Sequence, residues 1–512
     1  MEPIPALYIV LPLLGAFLIP LVGHFVKGFQ KALSLIITLF LLVYSTWFFV
    51  VGYTSPVVTK VGGWEAVDGI PIAIYLVYDG LSAFILLTVN LLAFLSTFYA
   101  MGYMKRFTAE NNFYALLCLM IAGMNGVVLS GDIFNIYVFL EIAVIASYAL
   151  VAFGTEKREL EASFKYQVLG GIASMLILFS IGLLYWQTQT LNLADISFML
   201  REETHDTALV FTQALLIVGF GLKAAMIPFH AWLPDAHSSA PSPISAMLSG
   251  VLIKAVGVYT LIRLFFNIFT VTYEISMIIT VLGTLSMVVG GLLAAGQKDI
   301  KRLLAYSSIS QIGYVIIGVG IGMLIIVNGG NKTIAALSIT GGLFHLINHA
   351  VLKGLLFFNA GAVEYMTETR KFKRLGGLAN KMPITSTTSL GASLAISGVP
   401  PFNGFFSKLL IIIAAVRGEF YLLATLAVVM NFVTLGYFLR FQKEIFYSKE
   451  KPTIKLLHKS LPFTMKFSMI VMLILCVLLS LLVLPYFREI ILNPAVDVLM
   501  KTGEYATNII SS

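Results

Sequence analysis

Residues 221–237 read GLKAAMIPFHAWLPDAH. The stretch opens inside an apolar run, places a cation at Lys223 and follows it with Pro228 and Pro234. Proline lacks an N–H and its ring clashes with the preceding turn, so it interrupts a helix. A greasy segment that holds a cation and then breaks its own helix points to a polar site inside an apolar protein.

The rest of the chain supplies the setting. Its 512 residues are 59% hydrophobic and 11% charged, against about 25% charged in a soluble chain. In lipid every backbone polar group must be satisfied by helices or a closed barrel. The apolar runs are about 20 residues long and do not alternate with period two, so they read as helices. The fold class is therefore an all-α polytopic membrane protein of about 14 transmembrane helices. The spans centre near Leu14, Leu42, Asn90, Ala122, Val144, Leu176, Phe220, Lys254, Val288, Val315, Leu346, Pro400, Val429 and Leu475. The N-terminus, MEPIPALYIV, has no basic run before its apolar stretch and reads as a retained span. Cys118 and Cys476 lie inside apolar runs and form no disulfide or metal framework.

Lysine and arginine alternate between the loops. Those after odd-numbered spans carry 22, from Lys27 and Lys31 to the group Arg440–Lys466 that includes Lys455. The intervening loops carry 7: Lys60, Arg201, Arg263, Lys332, Arg417, Arg488 and Lys501. Four more, inside spans, complete the 33. Such a bias sets orientation: the rich side is cytoplasmic and both termini face outside a plasma membrane. It also accounts for the net charge of +8 without nucleic acid as a partner.

Spans four to eight and nine to thirteen form two sets of five, so the second runs inverted. The fourth member of each carries prolines: Pro228 in span seven, Pro400 and Pro401 in span twelve. Paired interrupted helices in inverted halves are a transporter signature, and the breaks mark the ion site. The domain division is 1–105 for spans 1–3, 106–268 for the first five-helix repeat, 269–445 for the inverted second repeat, and 446–512 for span 14 and the tail. The repeat is imperfect, because Glu141 has no acidic counterpart in span ten. The tail REIILNPAVDVLM reads equally as an interfacial helix or a solvated face.

The four intramembrane lysines are Lys223, Lys254, Lys353 and Lys408. An ionised group at mid-bilayer costs about 2.5–3.5 kcal/mol on insertion scales, so a group of four must be paired, hydrated or partly neutral. Lys353, nearest the cytoplasmic end, also fits a snorkelling side chain. A Glu141–Lys223 pair can act as a proton switch: while the glutamate leans in, the lysine keeps its proton. His345 and His349, at i and i+4 of FHLINHAVLKG, can relay protons. They do not read as a metal site, because the next polar residue on that face is the cation Lys353. His230, Asp235 and His237 mark a cytoplasmic entrance, the lysines and histidines a central axis, and Lys408, beyond the Pro400–Pro401 break, an external exit.

GLKAAMIPFHAWLPDAHSSAPSPISAMLSGVLIKAVGVYTLIR (221–263) resembles the core signature of the proton-translocating antiporter-like subunits. That family covers the large subunits of Mrp sodium/proton antiporters, membrane-arm subunits of respiratory complex I and matching subunits of energy-converting [NiFe] hydrogenases. QKDIKRLLAYSSISQIGY (297–314), FHLINHAVLKGLLFF (344–358), YDGLSAFILL (78–87) and DIFNIYVFLEIAVIASYAL (132–150) extend the resemblance over residues 70–440 or so. It implies a fourteen-helix fold with two inverted five-helix repeats. Glu141 and Lys223 would form the first half-channel's pair, Lys254 the connecting lysine, His345 and His349 the central relay with Lys353 alongside, and Lys408 the terminal lysine of the exit. Lysine rather than glutamate at that last position is similar to the D-type Mrp subunit and its hydrogenase counterparts.

The expectation is a proton-conducting subunit of a redox-driven complex, with or without sodium exchange, and with no cofactor and no redox centre in this chain. Its partners would be further antiporter-like and redox-module membrane subunits, the bilayer, and protons with or without sodium. The alternatives are a subunit of a standalone Mrp antiporter, a solute transporter, a membrane redox enzyme with its own haem or metal, and an inert structural subunit.

Overall fold

The structure is a computed structural model that describes residues 4–51, 55–63, 73–202, 207–451, 456–501 and 504–510; Lys455 lies outside the described residues. Among the described residues, eleven helices are long and apolar enough to cross a membrane. They are α2 (Phe29–Val51), α3 (Gly80–Tyr103), α4 (Glu110–Leu129), α5 (Ile133–Val151), α6 (Lys157–Thr188), α10 (Ser242–Ile268), α11 (Tyr273–Ala295), α12 (Ile300–Val327), α13 (Lys332–Thr367), α16 (Tyr421–Tyr447) and α17 (Phe463–Val483). Two shorter apolar helices are α1 (Leu7–Val22) and α8 (Thr207–Lys223). A short helix, α7 (Leu193–Glu202), precedes α8, and α9 (Leu233–Ser239) follows it. The segment around Pro400 is two pieces, α14 (Pro383–Ile396) and α15 (Asn403–Arg417). Each of the fourteen sequence-expected centres therefore falls on a helix or on this break.

Aspartates set several starts. Asp79, Asp132 and Asp299 cap α3, α5 and α12, each side chain accepting from the backbone N–H three residues on. This satisfies donors that the first turn leaves free. One element departs from the all-helical expectation: strands β1 (Val57–Val61) and β2 (Ile74–Tyr78) pair antiparallel. Valine, isoleucine and tyrosine favour such a pleated, half-buried ribbon.

Burial separates an inner group of helices from an outer one. The most apolar window of α10 is 100% buried and that of α12 94%, against 28% for α17 and 33% for α16. The outer helices present Phe17, Trp47, Phe164, Trp186 and Phe432 outward, as surfaces facing lipid or another apolar surface must. The inner helices instead carry the polar side chains. α13 is 36 residues long, roughly 54 Å at 1.5 Å per residue, and so runs past both faces of a ~30 Å hydrocarbon core.

Both expected breaks are present. α8 stops at Lys223, and Ala225 takes a left-handed conformation (φ 53°). α14 stops at Ile396, and the Pro400–Pro401 turn precedes α15. A third irregularity has no counterpart among the sequence expectations. Leu248–Tyr259 of α10 is a π-helix, a widened form that often occurs at functional sites. Gly257 in it abuts the first break: a Cβ there would lie 2.6 Å from the backbone nitrogen of Ala224. Only glycine allows that approach.

The tail packs on the chain. Helices α18 (Pro485–Ile491), α19 (Asn493–Met500) and α20 (Tyr505–Ile510) follow α17. Leu492, Ala495 and Leu499 are fully buried, and Asn267 donates to the Val498 carbonyl at 2.8 Å. Neither expectation for REIILNPAVDVLM includes this docking against α3 and the end of α10.

Candidate functional site

The site is built from cations at breaks. Lys223 ends α8, its side chain almost wholly buried. Its Nζ donates to the Gly170 carbonyl (3.0 Å) and to Ser174 Oγ (2.8 Å), both on α6. Glu141 Oε1 on α5 lies 3.6 Å away, and Ser174 Oγ donates to that same oxygen. The hydroxyl thus bridges lysine and carboxylate, so the expected pair exists within one chain. Glu141 keeps about a quarter of its side chain exposed (26%), which leaves it room to turn away. A small cavity beside Lys223 is lined by Tyr166, Gly170, Trp232 and Leu252. Trp232 Nε1 donates to the Leu222 carbonyl at 2.9 Å, taking up an acceptor that the end of α8 leaves open.

Lys254 lies in the π-helical segment. Its Nζ donates to the carbonyls of Ser249 and Gly250, both at 2.6 Å. Acceptors on its own widened helix therefore receive an ammonium that has no ion-pair partner among the described residues. Lys353 donates to the Leu304 carbonyl at 2.9 Å and is fully buried. It does not snorkel.

His345 is held on both sides: Nδ1 lies 3.0 Å from Ser407 Oγ and Nε2 3.2 Å from Gln311 Oε1. His349, 6.5 Å away between ring centroids, has no hydrogen-bond partner on either nitrogen among the described residues. Lys408 on α15 donates to the Ile396 carbonyl at 2.8 Å, the last residue of α14. Its Nζ sits 4.5 Å from the Tyr314 ring centroid. Carbonyls freed by broken or widened helices thus hold Lys254 and Lys408.

One helix face links these groups. Along α12, Leu304 receives Lys353, Ser308 Oγ lies 2.7 Å from Ser249 Oγ, Gln311 meets His345, and Tyr314 lies under Lys408. The side chains of residues 308, 311 and 314 recur at the three-residue spacing that keeps them on one face, and the Leu304 carbonyl, a turn earlier, takes the bond from Lys353.

The expected entrance residues separate. Asp235 on α9 bonds Arg302 (2.5 Å) and Lys165 (3.2 Å), which ties α9 to α12 and α6. Its carboxyl is held below the usual range: burial pushes it up, and Arg302 and Lys165 outweigh that. His237 is fully buried with neither nitrogen bonded. His230 is half-buried beside Tyr306, 6.3 Å between ring centroids.

Two charged groups were not legible as buried from the sequence. Lys301, counted among loop charges, is buried on α12 and pairs with Glu364 at 3.0 Å. Arg263, also counted as a loop charge, forms a buried two-pronged ion pair with Asp79 at 2.5 and 2.7 Å. The KDIKR run could have flagged Lys301, because Asp299 caps a helix that begins at Ile300. The Arg263–Asp79 pair spans 184 residues and had no local signal. Among the described residues, no cluster of three His, Cys, Asp or Glu side chains is placed to hold a metal.

Comparison with known proteins agrees with this architecture. Residues 130–434 match the family described as "NADH:quinone oxidoreductase/Mrp antiporter, TM", and residues 64–114 match "NADH-Ubiquinone oxidoreductase (complex I), chain 5 N-terminus". The N-type subunit of NADH-quinone oxidoreductase from Desulforudis audaxviator is 34% identical over 74% of this chain and 73% of its own length. The D-type subunit of a Na(+)/H(+) antiporter from Alkalihalophilus pseudofirmus is 31% identical over 87% and 88%. A chain from the membrane-bound sulfane sulfur reductase, described as an archaeal respiratory membrane complex, superposes with a TM-score of 0.86 at 29% identity, covering 99% of both chains. A chain of the Mrp complex from Dietzia sp. DQ12-45-1b gives the same TM-score and coverage at 24% identity, a likeness of fold. With more than half its length matched by one family and a relative 34% identical over about three quarters of both chains, this protein belongs to the NADH:quinone oxidoreductase/Mrp antiporter family of multi-pass membrane subunits.

Proposed function

We propose that this chain is a proton-translocating, antiporter-like subunit of a larger membrane complex, working without a cofactor of its own. Protons move along a buried axis of Lys223, Lys254, the His345–His349 pair and Lys408, which Glu141 switches by leaning toward or away from Lys223, with Lys353 alongside and His230, Asp235 and His237 near the cytoplasmic mouth. The observation that carries this reading is the burial of four lysines and two histidines inside the helices, with the Glu141–Ser174–Lys223 bridge at the first break and Lys408 at the second. Each buried amine is held by neutral oxygens or by one carboxylate, so its charge can be given up and regained. Fourteen spans, the inverted repeats 106–268 and 269–445, and both termini outside belong to the same proposal.

The likeness to the sulfane sulfur reductase chain supports a redox-driven respiratory complex, of the membrane-bound hydrogenase type or related to it. The likeness to the D-type antiporter chain supports the second reading, an Mrp complex exchanging sodium for protons. Membrane vesicles whose complex carries Lys223→Ala test the path, with proton and sodium fluxes followed separately and assembly followed by blotting. Driven proton movement should collapse in an assembled complex; wild-type flux would overturn the proposal. Sodium movement that follows a proton gradient without any redox substrate would favour the Mrp reading.

A further inference from the structure

A cavity of about 380 Å³ opens at the lysine- and arginine-rich end, where α3, α6 and α13 finish or begin. Its wall includes Arg106, Arg158, Lys301, Glu364 and Arg370. Exposure falls steeply across it: the side chain of Glu364 is 19% exposed and that of Lys301 1%. Glu364 therefore sits at the boundary between a wet cavity and a dry amine. Its Oε2 lies 3.0 Å from Lys301 Nζ and its Oε1 3.6 Å from Arg370 Nε. Lys301 Nζ also donates to the Ala240 carbonyl at 3.0 Å, in the joint between α9 and α10. Three residues along the same helix, Leu304 receives Lys353, and the α12 face continues to Ser308, Gln311 and Tyr314.

We propose that this cavity is the inlet for protons, with Glu364 as the first acceptor and Lys301 as the group that passes the proton inward. This rests on the axis proposed above and moves its mouth away from Asp235. Asp235 is a poor inlet because its firmest partner, Arg302, keeps its protons and its other partner, Lys165, faces outward. The inner partner of Glu364 is a lysine, which can exchange its proton when buried. The step conserves protons. Glu364 carboxylate takes one from hydronium arriving through the cavity water, which is left as water, and becomes neutral, which discharges its pair with Lys301. Lys301 ammonium gives its proton to the neutral amine of Lys353, along α12. The proton on Glu364 then crosses to Lys301, restoring the ion pair and leaving one proton further in.

The test uses the whole complex in vesicles with the cytoplasmic face outward. Glu364→Gln should lower driven proton movement about 100-fold, the low end of what a positioned proton donor contributes, and Glu364→Asp should recover part of it. Glu161→Gln, at an exposed carboxylate outside the cavity, should transport near wild-type rates. Should Glu364→Gln fail to assemble, Glu368→Cys at the cavity rim gives the second reading. A bulky membrane-impermeant thiol reagent added from the cytoplasmic side should block that variant and spare Glu161→Cys; the native Cys118 and Cys476 are buried. Wild-type flux in an assembled Glu364→Gln complex, or in the labelled Glu368→Cys complex, overturns the inlet. Loss in Lys223→Ala with wild-type flux in Glu364→Gln defeats the inlet alone; wild-type flux in Lys223→Ala defeats the underlying axis.

Discussion

The two broken helices solve one problem in different ways. At the first, Lys223 precedes the break and meets a carboxylate through a serine hydroxyl. At the second, Lys408 follows the break, and no carboxylate lies within ion-pair distance among the described residues. There a carbonyl from the severed helix and the face of Tyr314 hold the ammonium. A carboxylate pair can be switched by moving one side chain. A cation held by a carbonyl and a ring has no such partner to swing, so its charge must answer to the occupancy of its neighbours. The first break suits a gate, and the second suits a terminal station whose charge is set from within.

The sharpest challenge to this contrast is removal of each amine. Lys223→Ala and Lys408→Ala should each reduce driven proton movement in vesicles to about one hundredth or less, with assembly preserved. Next, Glu141→Gln should leave a slower but measurable flux, above that of Lys223→Ala, because Ser174 and Gly170 still hold Lys223. A loss as complete as that of Lys223→Ala would show the carboxylate to be a carrier rather than a switch.

Tyr314→Leu removes the ring beneath Lys408 and should cost about 2 kcal/mol of stabilisation, the scale of a desolvated cation–π contact. Thermal unfolding of the solubilised complex reads it. Tyr314→Phe keeps the ring and loses only the hydroxyl bonds to the Ala427 carbonyl and to Asn431, so it should separate the two contributions. The smallest effect belongs to Asp235→Asn. Its carboxyl is held low in the folded state, so its contribution is complete above the ordinary carboxylate range near pH 4. It is lost as pH falls through the depressed value. The stability gap between wild type and Asp235→Asn, about 1 kcal/mol or less for a partly exposed pair, should therefore close on acidification.

The sequence carried much of this and concealed the rest for identifiable reasons. Prolines made both breaks legible, and the rarity of intramembrane lysines made Lys223, Lys254, Lys353 and Lys408 stand out. The pairing of Glu141 with Lys223 was readable as an intramembrane carboxylate beside intramembrane cations and was repeated by the family motifs; the geometry supplies the Ser174 bridge that no spacing announces. Lys301 and Arg263 hid among charges that looked like ordinary loop residues. Composition shows how many cations lie near an end, while burial depends on which helices cover that end. The π-helical stretch around Lys254 is likewise silent in sequence, and its close approach to the first break at Gly257 joins segments far apart in the chain.

The shared face of α12 makes the helix a ruler as well as a wall. From Ser308 to Tyr314 it matches three side-chain contacts, each to a different partner, at fixed angular intervals, with the Leu304 carbonyl receiving Lys353 a turn before them. One residue inserted between Leu304 and Ser308 would turn everything beyond it by about 100°. Gln311 and Tyr314 would then swing away from His345 and Lys408, with every side chain of the path still present. The proposed path is thus written in the phase of a helix as much as in the identity of its residues, and a frame-preserving insertion should silence it where conservative substitutions would not.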